Sequence, residues 1–313
     1  MAGGLTVSAL EKALADYLVV RRALGFKLNR PELLLADFAR YMERVGANTV
    51  TSELAVAWAT NVSGGANWKA DRLSVVRNFT RYLQALDPAT EIPPDNILPR
   101  QGRRATPFIY SETDIVNLMR TAKHLRSRVR RCTYTTLIGL LAVTGMRVGE
   151  AIQLDRSDVD WAEGTLTIRK AKFDKSRLIV LHPTTVTALR VYDHLRDQLI
   201  RHPKDPSFFV SQAGTRLLYD GVQWTFGRLV RQANIEPRSP RCRPRLHDLR
   251  HTFAVRTVLG WYRDGLDAAP RLPLLSTHLG HTTPRDTYWY LSATPELLDL
   301  AAARLARQIG NPS

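Results

Sequence analysis

Cysteine is nearly absent. The two residues, Cys132 and Cys242, stand far apart in a chain of 313, with no CxxC spacing. That excludes a disulfide framework and a thiolate metal site, and leaves buried free thiols. No run approaches the ~18 apolar residues a membrane span needs. The start, Met1-Ala2-Gly3-Gly4-Leu5, lacks the basic-then-apolar pattern of a signal peptide. A soluble, cytoplasmic protein with no membrane partner is therefore expected. Internal repeats and low-complexity tracts are also missing. Acidic residues do not cluster as a pair of Mg²⁺ ions would require, so no metal or other cofactor is expected.

What the chain has is positive charge. It carries 45 Lys and Arg against 29 Asp and Glu, a net +16, and its pI is 10.3. Such a balance implies a polyanionic partner, nucleic acid before membrane surface. The excess is uneven: residues 1–105 hold 14 basic and 10 acidic side chains, whereas residues 106–313 hold 31 and 19. Most anion binding is thus expected in the C-terminal two-thirds. Arginine dominates, and its planar fork suits phosphate better than the point charge of lysine.

Apolar side chains recur at helical spacing over 6–27 (Leu10, Leu14, Tyr17, Leu18) and through Leu33, Leu34, Phe38, Tyr41 and Met42. Similar patterns cover 51–60 and 69–86. A Pro-rich, basic stretch follows, from Ile92-Pro93-Pro94 to Arg103-Arg104, and reads as a linker. We expect a small helical domain over 1–100, a linker over 101–110 and a larger domain over 111–313. In the larger domain, Ser111-Glu112-Thr113-Asp114 looks like a helix start, and Thr135–Val143 like a buried helix ending at Gly145. Thr165–Ile168 and Arg177–Leu181 read as strands of a hairpin around a basic loop. The expected fold class is mainly α with a small antiparallel β-sheet.

Four segments can carry chemistry. In Thr144-Gly145-Met146-Arg147-Val148-Gly149-Glu150, a helix ends, the chain turns, and Arg147 is presented with Glu150 three residues on, placed to orient it. The loop Arg169-Lys170-Ala171-Lys172-Phe173-Asp174-Lys175-Ser176-Arg177 concentrates basic residues on a hairpin. Arg245-Leu246-His247-Asp248-Leu249-Arg250-His251 sets His247 and Arg250 on one helix face. Its two histidines at i and i+4 invite a zinc reading, but that motif needs Glu where Asp248 stands. Last come His278-Leu279-Gly280-His281 and Thr287-Tyr288-Trp289-Tyr290. Each segment alone has an ordinary reading: a surface ion pair, a solvated hairpin tip, a core tyrosine.

Their order is what carries information. Arg147 in TGMRVGE, Lys172 on the hairpin, His247 and Arg250 in HDLRH, His281 in HLGH, and Tyr290 nine residues later together resemble the tyrosine recombinase (phage integrase) family. The motifs span about 145–290, and the N-terminal helices resemble the family's core-binding domain more loosely. Lys170 and Lys175 compete with Lys172, and Tyr288 competes with Tyr290.

The resemblance implies DNA cleavage and rejoining through a 3′-phosphotyrosyl bond to Tyr290, without metal or ATP. Arg147, Arg250 and His281 would hold the phosphate, Lys172 would protonate the leaving oxygen, and His247 would move the tyrosine proton. Lys170, Lys175, Arg177, Arg103, Arg104, Arg243 and Arg245 are the further DNA-binding candidates. The resemblance also implies double-stranded DNA as partner and a homotetramer on two sites. The subunits would be joined by exchange of a C-terminal helix at about 294–308, whose stripe is Leu297, Leu298, Ala301 and Leu305. Companion recombinases or element-encoded proteins are further partners it allows, at the prokaryotic nucleoid. The N-terminus begins close to the core-binding pattern, so no separate arm-binding domain is expected, which favours the simple transposon and dimer-resolution types. The alternatives are a type IB topoisomerase and a non-catalytic DNA-binding protein on the same fold.

Overall fold

The structure, a computed structural model, describes residues 7–100, 106–169, 176–281 and Thr287. The chain divides into two compact units, one through Arg104 and one from Ala105 onward.

The first unit consists of four helices: α1 (Val7–Ala23), α2 (Asn29–Arg44), α3 (Ser52–Thr60) and α4 (Ala66–Leu83). These match the four periodic segments of the sequence. Their core is aromatic, with Tyr17 edge-on to Phe79 and Phe38 edge-on to Trp58. A buried cation is built into it. The Arg72 guanidinium lies 3.7 Å over the Trp58 ring and donates to the Trp58 carbonyl, while Trp58 Nε1 donates to Asp37. Stacking and a carbonyl acceptor offset part of the cost of burying that charge. Pro93 and Pro94, expected to begin a linker, are held on α4 by Arg77, which donates to both of their carbonyls at 2.7 Å.

The second unit is α with a small sheet, as expected. Its α-helices with both ends among the described residues are α5 (Glu112–Ala122), α6 (Arg128–Thr144), α7 (Val148–Gln153), α8 (Pro183–Leu199), α9 (Tyr219–Gln232), α10 (Asp248–Arg263) and α11 (Leu272–Leu279). Ser111 caps α5 with a reciprocal bond from Asp114, the signal read from the sequence. Helix α6 is the axis of the unit and packs on α5, α8 and α10.

Three antiparallel strands, β1 (Val159–Asp160), β2 (Thr165–Ile168) and β3 (Arg177–Val180), lie in that order. The register pairs Leu166 with Ile179 and Ile168 with Arg177. Leu166, Ile168 and Ile179 face the core, whereas Leu178 and Val180 are exposed. Strand β1 escapes the sequence reading because two residues are too short for an alternation to show.

The expected linker over 101–110 needs correcting at its end. Phe108 and Tyr110 are buried in the core of the second unit. Tyr110 finds its acceptors within the unit: its N–H donates to Thr252 Oγ1 and its hydroxyl to the Arg245 carbonyl. Two large aromatics in Pro107-Phe108-Ile109-Tyr110 have too much apolar area to be left in a solvated connector.

Leu141, 2% exposed on α6, should cost about 2–5 kcal/mol when cut to alanine. Val143 on the same helix is 54% exposed, and its alanine variant should shift stability by less than about 0.5 kcal/mol. Urea unfolding followed by circular dichroism would measure both.

Candidate active site

Two helix ends make the site. Helix α6 finishes at Gly145, whose φ of +62° is left-handed. A Cβ there would fall 2.4 Å from the Phe253 ring, so both backbone and space call for glycine. The chain then turns into α7 with Arg147 at its N-cap. Glu150 reaches back to it twice: Oε2 accepts from the Arg147 N–H and Oε1 from Arg147 Nη1, both at 2.8 Å. The i,i+3 pairing expected from the sequence is present in this form.

Helix α11 finishes the same way at Gly280, φ +65°. The last carbonyls of a helix have no partner within it. Here arginines take three in succession. Arg177 Nε donates to the His278 carbonyl at 2.9 Å, Arg250 Nη2 to Leu279 at 2.6 Å, and Arg147 Nη2 to Gly280 at 2.9 Å. Arg250 also spans back to α6, with Nη1 donating to the Gly145 carbonyl at 2.9 Å. His278 Nε2 lies 2.8 Å from the Thr144 carbonyl, so that nitrogen carries the proton. The His278 ring stacks on Phe253.

Four of the six residues singled out in the sequence are described, and these contacts bring them together. Arg147 and Arg250 are joined through adjacent carbonyls of α11, and His281 follows directly on that turn. The His281 ring is held at Nδ1 by the hydroxyl of buried Thr287, 2.7 Å away. His247 stands at the start of α10, three residues before Arg250, with its surface exposed. Protein packed around the ring and the charges of Arg250, Arg147 and Arg245 pull its pKa down to about 4. It is therefore neutral at pH 7. His278 is lowered too, by burial first and by Arg177 and Arg250 after that. Glu150 moves the opposite way for a carboxylate in such company. Burial opposes its charge, but hydrogen bonds and attraction from Arg177 and Arg147 prevail and hold it at about 2.

Arg177 is turned inward. It was expected on DNA, but its side chain is only 11% exposed and grips Glu150 through both Nη1 and Nη2, at 3.0 and 2.8 Å. The reason is the period of two in β3: Arg177 shares a face with Ile179, and that face is the core. Arg243 is exposed. Arg245 is also exposed, yet its Nε and Nη2 are engaged by buried Asp248, which fixes the turn entering α10. Lys170, Lys172, Lys175, Arg103, Arg104, Tyr288, Tyr290 and the segment 294–308 lie outside the described residues.

Sequence reasoning missed Thr287, the role of Arg177 and the three carbonyls. For Arg177 a signal existed, since Arg177, Ile179 and Leu181 alternate with exposed positions. For Thr287 there was none. Among the described residues, no three His, Cys, Asp or Glu side chains group to hold a metal ion. His247 and His251 meet edge to face instead.

Two outcomes follow from this geometry. A Cβ at Gly280 would sit 2.8 Å from Arg177 Nη1 on left-handed backbone, so Gly280→Ala should lose about 1–2 kcal/mol from the backbone alone. A lower urea midpoint at unchanged slope would record it. His247 binds its proton more weakly folded than unfolded, so its contribution is present above about pH 6.5 and is lost as pH falls towards 4. Stability should therefore decline from pH 6.5 to 4.5, and His247→Gln should flatten that decline in urea titrations.

Comparison with known proteins identifies the family. The phage integrase family matches residues 110–296. A Sinorhizobium fredii protein named as an integrase/recombinase is 42% identical over 310 residues, covering 96% of this chain and 98% of its own. A tyrosine recombinase XerC of Bacillus subtilis is 29% identical over 72% of this chain and 70% of its own. Among solved structures, XerH recombinase bound to difH DNA after cleavage superposes with a TM-score of 0.61 at 20% identity, covering 95% of this chain and 84% of that one. A lambda integrase dimer on a core site gives 0.61 at 16% identity, over 90% and 94%. On the strength of the family match and the close relative, this chain belongs to the phage integrase family.

Proposed function

We propose that this protein is a site-specific tyrosine recombinase that cleaves and rejoins double-stranded DNA through a 3′-phosphotyrosyl bond to Tyr290. The observation that carries the reading is the convergence of Arg147, Arg250 and His281 at the ends of α6 and α11, with His247 at the start of α10 beside the two arginines. The names of its relatives, integrase/recombinase and tyrosine recombinase, support it, as do the DNA-bound neighbours of like fold.

The chemistry is a transesterification. The Tyr290 oxygen bonds to phosphorus as the bond to the 5′-oxygen breaks, and the phosphodiester energy is kept for rejoining. The two arginines sit where charge on the non-bridging oxygens can be met by fixed donors. Each carbonyl they hold uses one of the N–H groups on a guanidinium nitrogen, and a guanidinium has five. Neutral His247 can accept the tyrosine proton, and Lys172 supplies one to the leaving 5′-oxygen. Thr287 can donate to His281 Nδ1, which puts the ring proton on Nε2 for a phosphate oxygen.

The first unit would clamp the duplex as a core-binding domain. Four protomers would act on two sites, with the helix at about 294–308 docked on a neighbour, in the cytoplasm at the nucleoid. Lys170, Lys175, Arg103, Arg104 and Arg243 are the further DNA contacts we assign. The choice between integration, transposition and dimer resolution is a matter of target site. Sequencing the DNA trapped on Tyr290 would give it.

Tyr290→Phe should bind DNA and form no SDS-resistant adduct, while Tyr288→Phe forms it normally. An adduct on the Tyr290 variant would overturn the assignment. Arg147→Ala or Arg250→Ala should cost about 3–4 kcal/mol of transition-state stabilisation, read as cleavage rate. Removing 294–313 should abolish cooperative binding and recombination, and retention of both would exclude docking in trans.

A further inference from the structure

We propose that Arg177 is a positioning residue for the phosphate clamp and makes no contact with DNA; the inference rests on the recombinase reading. Three contacts carry it. Its Nη1 and Nη2 hold both oxygens of Glu150, the carboxylate that fixes Arg147. Its Nε holds the His278 carbonyl, one turn end before His281. Its guanidinium fills the space beside Gly280, where any side chain would collide with it.

Arg177 thus ties together the places that set Arg147 and His281. Without it, Glu150 would keep one guanidinium and the α11 turn would lose one of its three caps. Lysine would not replace it. A single ammonium cannot span two carboxylate oxygens in parallel and a carbonyl as well. The charge of Arg177 is spent on Glu150, so its loss should misplace the clamp and leave DNA affinity alone.

The test compares wild type, Arg177→Ala and Arg177→Lys on a duplex bearing the cleavage site recovered from the wild-type adduct. Binding is measured across salt concentrations. Adduct formation is measured with a phosphodiester and with an uncharged methylphosphonate at the scissile position. We expect unchanged salt slopes for both variants. Adduct formation on the phosphodiester should fall on the order of 100-fold, the cost of a misplaced catalytic group. On the methylphosphonate, where Arg147 has less charge to meet, the defect should shrink to a few-fold.

A salt slope lower by about 1 would make Arg177 a phosphate contact and overturn the proposal. Equal defects on the two substrates would overturn it as well, since they would report general damage. If the alanine variant fails to fold, the lysine variant carries the same comparison. Failure to recover any wild-type adduct would instead overturn the recombinase reading, and the salt slope on a duplex of arbitrary sequence would still decide whether Arg177 touches phosphate.

Discussion

The candidate site of the second unit is arranged around one electrostatic problem, the packing of three arginines against a single turn of backbone. Arg177, Arg250 and Arg147 take the carbonyls of His278, Leu279 and Gly280 in succession. Three guanidiniums in so small a space repel one another. The repulsion is met by Glu150, held at a pKa of about 2, and by the C-terminal ends of α6 and α11, each worth roughly half a negative charge. By that estimate about one positive charge is left over. That remaining positive charge favours an anion at the site. The cluster is also rigid: each guanidinium has at least two fixed acceptors, or an acceptor and a carboxylate.

The glycines belong to the same solution. Gly145 and Gly280 end their helices in left-handed conformations and expose carbonyls towards the arginines. Neither leaves room for a side chain, because Phe253 closes on one and Arg177 on the other. The TG and LG pairs of the motifs are therefore geometric requirements of the clamp. His278 joins the two ends, bonded to Thr144 of α6 while its own carbonyl is held by Arg177.

Much of this was legible in the sequence, for different reasons at different residues. The helices of the first unit follow from apolar spacing, and the β2–β3 hairpin from alternation around a basic loop. Arg147, His247, Arg250 and His281 were singled out by an order and spacing that resemble a known family, and that order follows from the fold. What escaped depends on contacts between distant segments. Thr287 reaches His281 only once the chain has folded back. Phe108 and Tyr110 were read as linker because the Pro-rich stretch before them dominates local composition, whereas their partners lie near Thr252. Arg177 was read by its charge when its position in the alternation decided its direction.

That error has a physical lesson about the histidines as well. An arginine aimed at DNA would be screened and distant; an arginine aimed inward acts on its neighbours. Burial first, and then the charges of Arg177 and Arg250, lower the His278 pKa; burial first, and then Arg250, Arg147 and Arg245, lower that of His247 to about 4. A phosphate entering the site brings negative charge and raises the pKa of any imidazole beside it. On the proposed reading, His247 is a weak base in the empty site and a stronger one when DNA is bound. Proton transfer from Tyr290 would then be favoured only after the phosphate is in the clamp, so the arrangement that binds the scissile group also arms the residue that accepts the proton.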